Sequence, residues 1–146
     1  MIYNIRNLKM SDLDGIESLF NECFSGGNYD DGYMIQLEWI LEHGDSRYLI
    51  CANNSINADL IGYAHGSIGQ RIGELEFLAV KREYRKNGVG KALILEMAYR
   101  LGSNGAEEIH LIPTSKNQFY KSMGFKLSES GEMIANTKNI LRRTPY

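Results

Sequence analysis

The sequence predicts an α/β fold: a central mixed, mostly antiparallel sheet flanked by helices, with one parallel β–α–β crossover. Three observations predict it. Apolar runs of strand length and apolar stripes of helical period alternate in the order β, α, α, β, β, β, α, β, α, β, β. The span from Leu75 to Ile112 holds a strand, a long helix and a strand, enough chain for a right-handed parallel crossover. The strands before it follow one another closely enough to be antiparallel. With 146 residues, 43% of them hydrophobic and 23% charged, the chain suits one domain, 1–146, with a core that needs no staples.

The first strand is expected around Ile2 to Asn7. Ser11-Asp12-Leu13-Asp14 resembles a capping box, with Ser11 placed to bond the first free amides of a helix. Leu13, Ile16, Leu19, Phe20, Cys23 and Phe24 then recur at helical spacing, and Ser25-Gly26-Gly27-Asn28 breaks the pattern. A second helix starts after Asp30-Asp31, with Met34, Leu37, Ile40 and Leu41 turned inward. Strands follow at Tyr48–Ala52, which ends at the Asn53-Asn54 turn signal, at Leu60–Ala64 and at Leu75–Val80.

The long helix is expected from about Gly88 to Leu101, striped by Val89, Leu93, Met97 and Leu101, with Gly102 and Gly105 as stop signals. Glu108–Ile112 is a strand halted by Pro113. Ser115-Lys116-Asn117-Gln118 reads as a second capping box, opening a short helix that Gly124 ends. Phe125–Ser128 and Glu132–Ala135 form a closing hairpin around Ser130-Gly131.

Composition excludes several classes of function. The formal charge is −2 with both signs spread along the chain, and the Arg142-Arg143 pair reads as a solvated tail, so no nucleic-acid footprint is expected. Cys23 and Cys51 are far apart, without CxxC or histidines at metal spacing; they are expected as reduced, mostly buried thiols, with no metal. No apolar run approaches the ~20 residues that span a bilayer. The N-terminus lacks a basic start followed by an apolar stretch, so no secretory signal is expected. A soluble, cytoplasmic protein without membrane partners is the expectation, with a homodimer left open.

The segment richest in chemistry runs from Val80 to Ala92. A strand ends, a basic loop follows, and Gly88 and Gly90 open a helix. Free first-turn amides, the helix dipole and side chains small enough for close approach make such a place an anion cradle. Arg85, Lys86 and Lys91 add positive charge; the plain alternative is a capped helix beside a solvated loop. A Walker A loop would need a glycine at position 85 and a Ser or Thr at position 92, where Arg85 and Ala92 stand. A dinucleotide fingerprint would need a small residue where Leu93 stands.

Arg85-Lys86-Asn87-Gly88-Val89-Gly90 instead resembles the coenzyme A loop of the GNAT superfamily: Arg or Gln, two residues, Gly, one residue, then Gly or Ala. Phe119-Tyr120-Lys121-Ser122-Met123-Gly124-Phe125 resembles that family's Phe-Tyr-x-x-x-Gly-Phe signature, in order and after a strand. One departure stands out. Where family members often carry Asn-x-x-Ala ahead of the Phe-Tyr pair, this chain has Pro113 and Lys116, and Asn117 is not the equivalent residue.

The resemblance implies a GNAT-like fold and an acetyl-CoA-dependent N-acetyltransferase whose acceptor is a primary amine on a small molecule or a peptide. It implies a cofactor site made by Leu78, Ala79 and Val80, whose backbone would pair with the pantetheine arm, and by Arg85, Lys86, Asn87, Gly88, Val89, Gly90 and Lys91 around the pyrophosphate. Tyr120 matches the family's general acid toward the leaving thiolate; as a residue alone, it reads as a core aromatic. Glu76 is the first candidate for the base because some aminoglycoside N-acetyltransferases carry a carboxylate at that place. Glu74, two residues away, is the alternate, and both also read as solvent-facing strand residues. His65 and His110 lie on strands, where a histidine reads as a structural hydrogen-bonding residue. The opposing functional reading is a coenzyme A-binding or regulatory module of the same fold without catalysis.

Overall fold

Seven strands form one sheet in the order β1-β2-β3-β4-β5-β7-β6 in a computed structural model that describes residues 2–24, 31–113 and 116–143. The strands are β1 (Tyr3–Asn7), β2 (Leu49–Asn54), β3 (Leu60–Gly69), β4 (Ile72–Val80), β5 (Glu108–Leu111), β6 (Lys126–Leu127) and β7 (Met133–Asn136). The helices are α1 (Leu13–Cys23), α2 (Asp31–His43), α3 (Val89–Ser103), α4 (Asn117–Ser122) and α5 (Thr137–Leu141). Every neighbouring pair is antiparallel except β4–β5, which is parallel and spanned by α3. The mixed, mostly antiparallel sheet with a single parallel crossover is therefore the observed architecture.

Apolar faces explain the layering. Ile16, Leu19 and Phe20 of α1 and Leu37 of α2 are buried against Leu49, Cys51, Tyr63 and Ala79 on one face of the sheet. On the other, Val89, Leu93, Met97 and Leu101 of α3 cover Ile50, Ala52, Ile61 and Ala64. β2 and β3 are thus apolar on both sides, which is why they read as continuous runs. Leu93 has no exposed surface, so Leu93→Ala would cost ~2–5 kcal/mol. Helix α3 sits so near the sheet that a Cβ at Gly66 or Gly73 would meet Met97 or Leu101 at 2.5 or 2.9 Å.

The structure corrects several expectations. Ser11 caps nothing: a 3₁₀ turn, Met10–Asp12, precedes α1, and Asp12 accepts the Lys9 N–H at 2.7 Å while gripping Arg6. Strands β3 and β4 extend beyond Ala64 and upstream of Leu75 and meet in a two-residue turn, Gln70-Arg71, both at positive φ (49° and 70°). The turn was not visible because it lacks the Asn-Gly or Asp-Gly pair that usually marks such geometry. A fifth helix, capped where Asn136 Oδ1 accepts the Asn139 N–H, closes over α3 with Thr137 and Ile140 buried. Arg143 is no free tail residue, since Nη1 donates to the Ser122 carbonyl at 3.3 Å. The break at Ser25–Asn28, Asp30 ahead of the second helix and the Ser115 cap lie outside what is described, as does the side chain of Asp31.

Candidate active site

Two neighbouring strands that part company create the site. The β4–β5 ladder has three pairs, Ile72↔Glu108, Gly73↔Ile109 and Glu74↔His110, and stops there. Beyond it, β4 continues to Val80 paired only with β3. Lys81 N–H donates to the Ile61 carbonyl, so by strand alternation Leu78 and Val80 present their backbone groups to the free edge. A cleft of about 730 Å³ fills the gap, bordered by Glu74, Glu76, Leu78, His110, Tyr120 and Glu132.

Next to it, a hollow of about 260 Å³ runs along Leu78 and Val80 to Gly88, Gly90 and Lys91, and shares Leu78, Arg85 and Lys116 with the cleft. Gly88 precedes α3 at φ +82°, a left-handed conformation that favours glycine, and offers no side-chain cap. The amides of Val89, Gly90 and Lys91 come before the first intrahelical bond, which Ala92 N–H makes to the Gly88 carbonyl. A Cβ at Gly90 would lie 3.3 Å from Phe119 Cζ, so the helix start also seats α4. Arg85 turns back: Nε donates to the Val80 carbonyl at 3.0 Å and Nη2 reaches Cys23 Sγ at 3.5 Å.

Two predicted site residues stand aside from both hollows. Ala79 is buried on the α1–α2 face and pairs with Tyr63, and Asn87 turns its amide to the Tyr84 and Arg85 carbonyls. Lys86 and Val89 border the hollow with Gly88, Gly90 and Lys91.

Glu76 occupies a β-bulge. His65 pairs with Phe77 and Gly66 with Leu75, which leaves Glu76 without a partner on β3. Its side chain is 39% exposed, and burial followed by Glu74 raises its pKa. Oε2 lies 3.1 Å from His65 Nε2, while His65 Nδ1 is 2.6 Å from the Tyr33 hydroxyl, itself 2.7 Å from that of Tyr63. Sequence reasoning missed this chain of contacts. Tyr63 and His65 alternate onto one face of β3, but the bulge that brings Glu76 to them has no local signature.

Tyr120 is 5% exposed, packed on Phe119 and Phe125, and borders the cleft. Burial raises its pKa, and among the described residues its hydroxyl has no hydrogen-bond partner. His110 has both nitrogens taken, Nδ1 by Glu132 at 2.9 Å and Nε2 by Glu108 at 3.1 Å. Burial lowers its pKa, but the two carboxylates outweigh burial and the net direction is up. Among the described residues no cluster of three His, Cys, Asp or Glu side chains could hold a metal ion, and no helix is long and apolar enough to cross a membrane.

A family model for the acetyltransferase (GNAT) family matches residues 13–125, which contain the splayed strands, the glycine loop and the Phe-Tyr helix. The chain belongs to the GNAT acetyltransferase family. This GNAT chain is 24% identical to an acetyltransferase of Pectobacterium atrosepticum over 143 residues, 97% of this chain and 99% of that one. The PaiA N-acetyltransferase of Thermoplasma acidophilum, solved in complex with coenzyme A, superposes with a TM-score of 0.69 at 25% identity, covering 92% of this chain and 97% of its own. The ribosomal-protein-S18-alanine N-acetyltransferase of Escherichia coli shares the GNAT fold, with a TM-score of 0.74 at 17% identity over 93% and 94% of the two chains.

Proposed function

We propose that this protein transfers an acetyl group from acetyl-CoA to a primary amine of a small molecule or peptide, by direct attack, with Glu76 as base and Tyr120 as acid. The observation that carries the reading is that both side chains border one cleft, which runs on into the hollow at Gly88 and Gly90. The relative from Thermoplasma acidophilum, solved with coenzyme A, supports acetyl-CoA as the cosubstrate.

The residues present suit that ligand. The backbone of Leu78 and the N–H of Val80 would pair with the pantetheine arm, and the open amides of Val89, Gly90 and Lys91 would hold the pyrophosphate. The Leu78 N–H would polarise the thioester oxygen. Glu74, Glu76 and Glu132 border the cleft and not the glycine hollow, which favours an acceptor that arrives as an ammonium.

Glu76 takes the proton that the ammonium must lose, and its raised pKa makes it the better base. The amine nitrogen then forms the C–N bond as the thioester C–S bond breaks. Tyr120 supplies a proton to the departing sulfur, and the second proton that the nitrogen sheds as the amide forms restores the phenol; burial keeps the hydroxyl protonated until the sulfur departs. Among the alternates, His110 is occupied on both nitrogens, and Glu74, exposed on the strand as Glu76 is, lacks the close approach of His65 that Glu76 has.

Thiol release from acetyl-CoA against a panel of amines tests the reading, with wild type and Glu76→Gln compared across pH. The expected result is amine-dependent release, lowered by ~10²-fold in the variant near neutral pH and partly restored at high pH, where the amine is already neutral. Coenzyme A binding without amine-dependent release would favour a non-catalytic module.

A further inference from the structure

We infer that His65 is the positioning residue for Glu76: with Nε2 3.1 Å from Oε2 it presents its N–H to that oxygen, holds the carboxylate in the β4 bulge, and leaves Oε1 for the incoming amine. The inference rests on the reading of Glu76 as the base.

Three observations carry it. The contacts form one continuous line across two strands and a helix, at 3.1, 2.6 and 2.7 Å from Glu76 through His65 and Tyr33 to Tyr63. His65 is only 5% exposed, with Phe77 stacked 6.5 Å from its ring and Tyr33 tilted against it at 5.8 Å, so the imidazole is held in place. Finally, Glu76 is the residue that the bulge leaves without a partner on β3, so its orientation depends on side-chain contacts. Among the described residues the 3.1 Å approach of His65 Nε2 is the only ion-pair contact that Glu76 makes.

The direction of the line follows from chemistry. Burial pushes His65 down to about 4, so the ring is neutral near pH 7 and carries one proton. A carboxylate accepts, so that proton sits on Nε2. Nδ1 then accepts from the Tyr33 hydroxyl, whose oxygen accepts from Tyr63. Burial raises both phenols, so each keeps the proton it donates. A neutral donor assists the base without competing for its proton. The charged and titratable groups facing Glu76 or its cleft are Glu74 on its own strand, His65 and Tyr63 on β3, Tyr33 on α2, Cys23 on α1, Arg85 and Lys116 in the loops, Tyr120 on α4, and His110 and Glu132 across the cleft.

Two measurements test this. Nitrogen-15 NMR of the histidines, with the His65 signal identified by its loss in His65→Phe, should show the Nε2–H tautomer at pH 7. Tyr33→Phe, which removes the donor to Nδ1, should weaken that signature; a proton on Nδ1 in the wild type, or a tautomer indifferent to Tyr33→Phe, overturns the inference. In steady-state assays with the best amine of the panel, His65→Phe should lower kcat by ~10-fold or more and leave acetyl-CoA binding unchanged. It should also move the acid limb of kcat/KM to higher pH, because a carboxylate that loses a donor is protonated more readily. His65→Gln, which keeps an N–H near the place of Nε2, should retain most of the turnover.

An unmoved acid limb in His65→Phe, or equal losses in the Phe and Gln variants, would sink the positioning role. If Glu76→Gln is impaired while His65→Phe keeps the wild-type limb, the base stands and only the role of His65 falls. If Glu76→Gln matches wild type at every pH, both fall.

Discussion

The two ends of β4 belong to one strand and meet opposite needs. From Ile72 to Glu74 the strand is paired on both sides, and α3 presses on Gly73 through Leu101. From Leu75 to Val80 it keeps β3 alone, bulges at Glu76, and leaves the backbone of Leu78 and the Val80 N–H without a strand partner, the Val80 carbonyl being taken by Arg85. At the closed end the backbone groups are satisfied within the sheet, which gives stability. At the open end the same donors and acceptors are left for a ligand, as on any strand edge that recruits an extended chain. A binding surface arises here by withholding a neighbouring strand, with no added loop or domain.

The comparison can be broken first at the open end. Gly88→Asp forces a side chain into φ +82° and sets a carboxylate before the first amides of α3. Acetyl-CoA at a hundredfold excess over Kd should stabilise wild type by about 2.7 kcal/mol, seen as a raised Tm. The variant should lose that shift altogether while its circular dichroism shows it folded; an equal shift would contradict the cradle. Tyr120→Phe comes next, removing a hydroxyl that has no partner among the described residues and keeping the ring on Phe119 and Phe125. Turnover should fall by ~10²-fold with little change in acetyl-CoA binding. Unchanged single-turnover rates would remove Tyr120 from the chemistry.

Substitution at the closed end should do the reverse. Gly73→Val drives a side chain into Leu101, where a Cβ alone would stand 2.9 Å from Cδ1. Chemical denaturation should register a loss of ~1–3 kcal/mol, and the folded fraction should bind acetyl-CoA as wild type does. A large loss of affinity in folded protein would show that the two ends are not separable.

Asp12→Asn, remote from both ends, supplies the baseline. Asp12 accepts from Arg6 at 2.8 and 2.9 Å and from Lys9 N–H. Burial raises its pKa, but these donors outweigh burial and hold it below the usual carboxylate value. Its contribution is therefore present above the unfolded-state pKa and lost as pH falls through the folded one. The substitution should cost ~1–2 kcal/mol at pH 7. That difference should shrink toward zero below about pH 4, as both forms become uncharged; a gap that persists in acid would point to packing instead.

What was legible in the sequence was local. The glycine loop and the Phe119–Phe125 motif sit in consecutive residues whose spacing survives any uncertainty about the fold. Element order followed from periodicity, including the crossover that sets α3 behind the site. The meeting of Glu76 with His65 was not legible, because it depends on a cross-strand register and on one extra residue in β4. Two-residue periodicity placed Glu74 and Glu76 together, but could not reveal that Phe77 shares the α1–α2 face with them after the bulge. The Gln70-Arg71 turn escaped because neither residue type favours the positive φ it adopts. Helix α5 escaped because five residues are too few to display a period.

The contact between Gly90 and Phe119 ties the glycine loop to the Phe-Tyr helix. Phe119 Cζ would lie 3.3 Å from a Cβ at position 90, and the next residue along α4 is Tyr120. The start of α3 and the tyrosine hydroxyl are therefore spaced by one aromatic ring. A Cβ at position 90 would press on that ring, so how closely α4 sits against the start of α3 depends on the absence of one methyl group.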